Sequence, residues 1–141
     1  MAPAPNTALL MFVAHRSAEV RVRDALRIAG FELTMAQCRI AQRLSLEGIR
    51  VTDIAEQAQV TKQTAGALID ELESAGYVVR RPDPADARAR LVMLTDTGTT
   101  LCERAAAEVT AIEGEWREHL GAKAYGQLRD GLIALREITD P

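Results

Sequence analysis

Residues 51–95, VTDIAEQAQVTKQTAGALIDELESAGYVVRRPDPADARARLVMLT, decide how this chain is read. Two short helical patterns come first, VTDIAEQA and KQTAGALIDELESA, joined through Gln59-Val60-Thr61, which is the spacing of a helix-turn-helix. Thr61 stands where an N-cap hydroxyl is wanted before Lys62, and Gly76 where a left-handed C-cap residue is wanted, so local chemistry bounds the second helix at both ends. Ala65, Leu68, Ile69 and Leu72 recur at three- and four-residue steps and form an apolar stripe for a core. Beside the Thr61 cap, Lys62, Gln63 and Thr64 offer an ammonium, an amide and a hydroxyl, groups that reach phosphates and base edges in a major groove. Asp70, Glu71 and Glu73 occupy the other end. That order opposes the helix dipole, which favours early acids and late bases by ~0.3–1 kcal/mol per group, so Lys62 does not serve helix stability.

After the helix, Tyr77 to Arg81 has strand composition and Arg90 to Thr95 reads as a returning strand. The Pro- and Asp-rich segment between them predicts a hairpin with a long tip. Arg80, Arg81, Arg88 and Arg90 are concentrated here against Asp83 and Asp86, a locally basic projection on a chain that is acidic as a whole. Such a projection suits phosphates and a narrow minor groove.

The order helix-turn-helix, then RRPDPADARARLVMLT, then DTG resembles the MarR family of winged-helix transcriptional regulators. The residues that carry the resemblance are Asp86-Ala87-Arg88 and Leu94-Thr95-Asp96-Thr97-Gly98, and it extends from about Leu9 to Leu135. It implies a mainly α fold, a winged helix-turn-helix with a small β-hairpin wing and long terminal helices forming a dimerisation region. It also implies that the wing arginine at Arg88 enters the minor groove while the aspartate at Asp86 helps to orient the wing. The expected DNA-binding set is therefore Thr61, Lys62, Gln63, Thr64, Arg80, Arg81, Asp86, Arg88 and Arg90. Gly66, Ala67 and Glu71 depart from the family pattern, in which polar or basic residues are frequent at these places. Gly66 costs about 1 kcal/mol relative to alanine inside a helix.

The remaining chain is consistent with one domain of 141 residues whose 48% hydrophobic content supplies a core. A net charge of −3 excludes indiscriminate nucleic-acid binding through overall charge and leaves only the local patch. A first long helix is expected from about Thr7 to Ile28, capped by Asn6 and ended by Gly30, with Leu9, Phe12, Val13, Val20 and Leu26 as apolar members. Thr34 then caps a helix through about Leu46, with Met35, Cys38, Ala41 and Leu44 as its stripe. Thr95 to Leu120 forms a second long helix striped by Leu101, Ala105, Val109, Ile112, Trp116 and Leu120. The last, about Ala122 to Ile138, carries Tyr125, Leu128, Leu132 and Leu135 at near-heptad spacing. Terminal helices this apolar would be exposed in so small a domain unless a second copy covered them. The expected division is a reading lobe over residues 34–95 and a helical dimerisation region over residues 6–30 and 96–140, with a palindromic duplex site as the target.

No nucleophile lies in a recognisable motif beside His15 or His119, the glycines do not form a phosphate-cradling run, and Cys38 and Cys102 lack metal-ligand spacing. No enzyme, metal or cofactor is expected. Without an apolar run of about 18 residues or a signal-peptide order, the expected compartment is the cytoplasm. The resemblance further implies a repressor released by a small aromatic effector, whose pocket residues by family analogy are Phe12, His15, Arg16 and Trp116. Two other readings stay open. Gly66, Ala67 and Glu71 suit a winged-helix dimerisation or protein-interaction module whose DNA binding has lapsed, and Cys38 suits a cysteine-based redox sensor, although a small apolar filler is the commoner role on such a stripe.

Overall fold

Short capping motifs set most of the element boundaries in the computed structural model, which describes residues 1–140. Helix α1 spans Thr7–Ile28, as expected, and the Asn6 carboxamide oxygen accepts from the Leu9 N–H at 2.8 Å. Gly30, at φ 94°, turns the chain out of it. Helix α2 spans Met35–Ala41 and opens with a reciprocal capping box. In it the Gln37 N–H donates to Thr34 Oγ1 at 3.1 Å and the Thr34 N–H donates to Gln37 Oε1 at 2.9 Å.

This second helix is shorter than expected. It stops at Ala41 instead of continuing towards Leu46, because the next residues are used by a sheet. The Ser45 carbonyl accepts from the Leu94 N–H at 3.2 Å, and Gly48, at φ 91°, lets the backbone pass close to Leu91 and Met93. A two-residue strand, β1 (Ile49–Arg50), follows at once and was absent from the sequence expectation.

Helix α3 (Val51–Ala58) and helix α4 (Lys62–Ser74) flank a turn in which Gln59 is left-handed at φ 57° and the Val60 N–H returns to the Ala55 carbonyl at 3.0 Å. Strands β2 (Val78–Asp83) and β3 (Asp86–Leu94) then form the hairpin. Together with β1 they make an antiparallel sheet of order β1-β3-β2, in which Ile49 faces Val92 and Val78 faces Leu94. Only Pro84 and Ala85 separate the strands, so the long tip expected from the Pro- and Asp-rich segment is instead paired strand. Pro82 is tolerated because β2 is an edge strand, where a missing N–H costs no ladder bond.

The core stripe of α4 is as the periodicity predicts, with Ala65, Ile69 and Leu72 buried and Leu68 partly so. Ile40, Ile54, Val78, Val92 and Leu101 join them, each fully buried aliphatic side chain contributing about 1.5–3 kcal/mol.

Helix α5 (Asp96–Leu120) and helix α6 (Ala122–Thr139) complete the chain, which divides into two compact units, Met1–Ala106 and the segment from Ala107 onward. Several residues of the expected terminal stripes stay exposed in the single chain, among them Leu9, Phe12 and Val13 on α1 and Leu128, Leu132 and Leu135 on α6. No helix of the described residues is long and apolar enough to cross a membrane.

Candidate nucleic-acid interface

The turn before α4 is held by the cap that the sequence predicts. Thr61 Oγ1 accepts from the Thr64 N–H at 3.0 Å, and the two threonine hydroxyls lie 2.9 Å apart. Burial of Ala65, Ile69 and Leu72 on one side leaves Thr61, Lys62, Gln63 and Thr64 exposed together at the N-terminal end of the helix. An open depression of about 610 Å³ lies at the same turn, lined by Ala55, Glu56, Gln59, Val60, Thr61 and Thr64.

The acidic end of α4, which opposes the dipole, proves to serve contacts between elements. Glu71 accepts from Gln37 Nε2 at 2.7 Å, tying the reading helix to the first turn of α2. Asp70 and Glu73 accept from Arg80, at 2.7 Å from Nη2 and 2.8 Å from Nη1. The departure at Glu71 thus has a packing partner. Gly66 has none, since a Cβ built there meets nothing within 4 Å, so its cost of about 1 kcal/mol is not offset by a close approach inside the chain.

Of the four hairpin arginines, three are exposed and one is not. Arg81, Arg88 and Arg90 point to solvent along the distal hairpin. Arg80 faces Val92 across the ladder, its side chain is only 18% exposed, and its guanidinium is spent on α4. The expectation of one basic cluster with four members is therefore corrected to three available guanidinium groups. The Asp86 carboxylate accepts from the Arg88 N–H at 3.0 Å.

A brace not foreseen from sequence holds the other side of the hairpin. Arg50, at the junction of β1 and α3, donates to Asp83 Oδ2 through Nη2 at 2.6 Å and Nε at 2.9 Å, across 33 residues of chain. The Ala85 N–H and this guanidinium hold the Asp83 carboxyl below the ordinary carboxylate range. With its folded value depressed, Asp83 contributes stability that is fully present above the unfolded-chain value of about 3.9 and is lost as pH falls through the lower folded value. Amide protection factors across the hairpin are accordingly expected to be level from neutral pH to about 4 and to decline below it. Unchanged protection in stronger acid, with the rest of the fold intact, would show that the brace does not order the wing.

The Leu94-Thr95-Asp96-Thr97-Gly98 run forms a lock where three elements meet. Thr95 Oγ1 donates to the Gly76 carbonyl at 2.6 Å and accepts from the Gly98 N–H at 3.1 Å, while the Thr95 N–H donates to the Tyr77 carbonyl at 3.1 Å. The end of α4, the end of β3 and the start of α5 are joined by these three bonds.

The residues expected to line an effector pocket are placed less tightly. Phe12, His15 and Arg16 are exposed on α1, and Trp116 is half-buried on α5. His15 Nε2 lies 2.7 Å from Glu19 Oε1, and Arg39 Nη2 pairs with the same oxygen at 3.3 Å. Burial pushes the thiols of Cys38 and Cys102 up, which keeps both protonated and weakly nucleophilic near neutral pH. Among the described residues no group of three or more His, Cys, Asp or Glu is placed to hold a metal ion.

A capped second helix exposed at its polar end, followed by an arginine-bearing antiparallel hairpin, defines a winged-helix DNA-binding fold. Known proteins agree with that class. The family model described as MarR family matches residues 31–89. FarR, an HTH-type transcriptional regulator of Neisseria gonorrhoeae, is 32% identical over 109 residues, 77% of this chain and 75% of FarR. CouR of Rhodococcus jostii RHA1, solved bound to p-coumaroyl-CoA, is 27% identical with a TM-score of 0.73 over 95% of each chain. Wild-type MarR of E. coli is 21% identical and shares the fold, with a TM-score of 0.73 over 95% of this chain and 98% of its own. The chain belongs to the MarR family of transcriptional regulators.

Proposed function

We propose that this regulator works as a homodimer that grips a palindromic operator in double-stranded DNA, represses the adjoining genes in the cytoplasm, and is released by a small aromatic effector. The observation that carries the reading is Arg88, exposed on a hairpin whose backbone Asp86 holds, beside a reading helix that exposes Lys62, Gln63 and Thr64. In this reading residues 34–95 contact the duplex, with Lys62 on phosphate, Gln63 and Thr64 on base edges, and Arg88 in the minor groove flanked by Arg81 and Arg90. Residues 6–30 and 96–140 pair with their copies, which would cover the exposed apolar residues of α1 and α6.

The effector is proposed by analogy with CouR, whose ligand carries an aromatic acyl group. Phe12, His15, Arg16 and Trp116 would line its site. Release then follows from linkage, since a ligand that prefers a dimer with wrongly spaced reading helices lowers DNA affinity by its differential binding. Selection of genomic fragments on the purified protein tests the whole reading. It should return an inverted repeat with half-sites roughly 10 bp apart, occupied by two chains and vacated on titration with aromatic acids or their CoA thioesters. Equal and weak affinity for selected and random DNA would overturn it.

A further inference from the structure

We infer that Arg80 is a positioning residue, a strut that sets the wing against the reading helix and does not itself touch DNA. The inference rests on the DNA-binding reading above and assigns Arg80 a part different from that of the other hairpin arginines.

Three bonds from this one residue end on α4. Its Nη2 donates to Asp70 Oδ1 at 2.7 Å, its Nη1 to Glu73 Oε1 at 2.8 Å, and its backbone N–H to Glu73 Oε2 at 3.3 Å. The two carboxylates lie one turn apart, so the planar fork of the guanidinium spans them in a way an ammonium could not reproduce. Because Glu73 holds main chain as well as side chain, the strand itself is tied, and Arg80 sits on the same face of the hairpin as the buried Val78 and Val92. On the other side, Arg50 and Asp83 tie the hairpin to the start of α3. The wing is thus fastened to both helices of the helix-turn-helix. A reading head that must fill a major and a minor groove at once depends on that spacing.

The arrangement makes a prediction whose sign distinguishes a strut from a phosphate contact. Asp70 and Glu73 are negative charges on the DNA-reading helix, so by charge alone Asp70→Ala with Glu73→Ala should strengthen DNA binding. If they anchor the strut, the same double variant weakens it. We expect Asp70→Ala/Glu73→Ala and Arg80→Ala each to lower operator affinity by about tenfold, and the triple variant to be no worse than either, as for residues acting in one unit. The slope of log affinity against log salt should stay within half a unit of the wild-type value in Arg80→Ala.

Tighter binding by the double variant, or a slope reduced by roughly 0.9 in Arg80→Ala, would make Arg80 a phosphate contact and overturn the inference. Unchanged affinity with only a lower melting temperature would overturn it too. Hydrogen exchange on the free protein gives a second arm that needs no DNA. Arg80→Ala should raise exchange across residues 78–94 and leave α1 unchanged, and an unaffected hairpin would dismiss the strut whatever the DNA result. If the wild type itself prefers no sequence, the proposed function fails, which is a separate outcome.

Discussion

Arg88→Ala is expected to lower affinity for the operator by roughly tenfold to a hundredfold, the largest loss of any single exposed residue, while leaving the melting temperature within about 2 °C. Arg88 is exposed and makes no side-chain hydrogen bond within the described residues, so its removal leaves no buried group unpaired and exposes no core. Its backbone, in contrast, is held by the Asp86 carboxylate at 3.0 Å. Because its base is already fixed, Arg88 orders only its side chain and not its backbone on entering a narrow groove, where the negative potential is enhanced.

Salt titration separates this role from neighbouring ones. Loss of a cation that displaces counterions should reduce the slope of log affinity against log salt by roughly 0.9. Asp86→Ala keeps the cation and frees the backbone, so it should weaken binding by a smaller factor at an unchanged slope. An operator affinity untouched by Arg88→Ala would move the minor-groove role to Arg81 or Arg90, the other exposed guanidinium groups of the hairpin.

Gly98→Ala should be the most destabilising single-methyl change in the unit Met1–Ala106, costing about 3 kcal/mol or more. A Cβ at this position would lie 2.0 Å from the Tyr77 carbonyl oxygen, 3.0 Å from its carbonyl carbon and 3.1 Å from Leu94 Cδ2. The obstacle is largely backbone, so no rotamer change relieves it. To make room, α5 must move away from Tyr77, and the Thr95 bonds to Tyr77, Gly76 and Gly98 lengthen together. For a unit of this size the loss amounts to a fall of more than about 10 °C in melting temperature.

Gly66→Ala is the matched control, because it adds the same methyl to a helix where nothing lies within 4 Å. That substitution should stabilise the fold by about 1 kcal/mol through helix propensity. Urea midpoints that moved equally for the two variants would show that the contact at Tyr77 does not constrain residue 98.

Elements whose limits depend on neighbours a few residues away were legible in the sequence. Asn6, Thr34 and Thr61 cap their helices with bonds that reach three residues along the chain, and Gly30 and Gly76 adopt the positive φ expected of them. The limits of α1 were correct for this reason, whereas those of α3, whose N-cap Arg50 makes no side-chain capping bond, followed from the pattern VTDIAEQA alone. The hairpin was legible as a hairpin but not in its length. Pro82 and Asp83 carry turn chemistry, yet both are in β2, since an edge strand forgives a proline and Arg50 holds Asp83 from outside the hairpin. Strand β1 has two residues and therefore no period to detect; it exists because β3 offers it a partner.

The sequence by itself determined that a polar-tipped helix and an arginine-bearing hairpin follow one another, and it determined the helix caps, because bonds over three or four residues form wherever the residues stand in that order. Only the tertiary structure decided which charges remain available. Arg80 is bound to carboxylates seven and ten residues away, Glu71 to an amide 34 residues away, and Asp83 to a guanidinium 33 residues away. Side chains with the same formal charge become strut or free head according to which element the sheet register turns them towards, and register is set by pairing across the whole lobe.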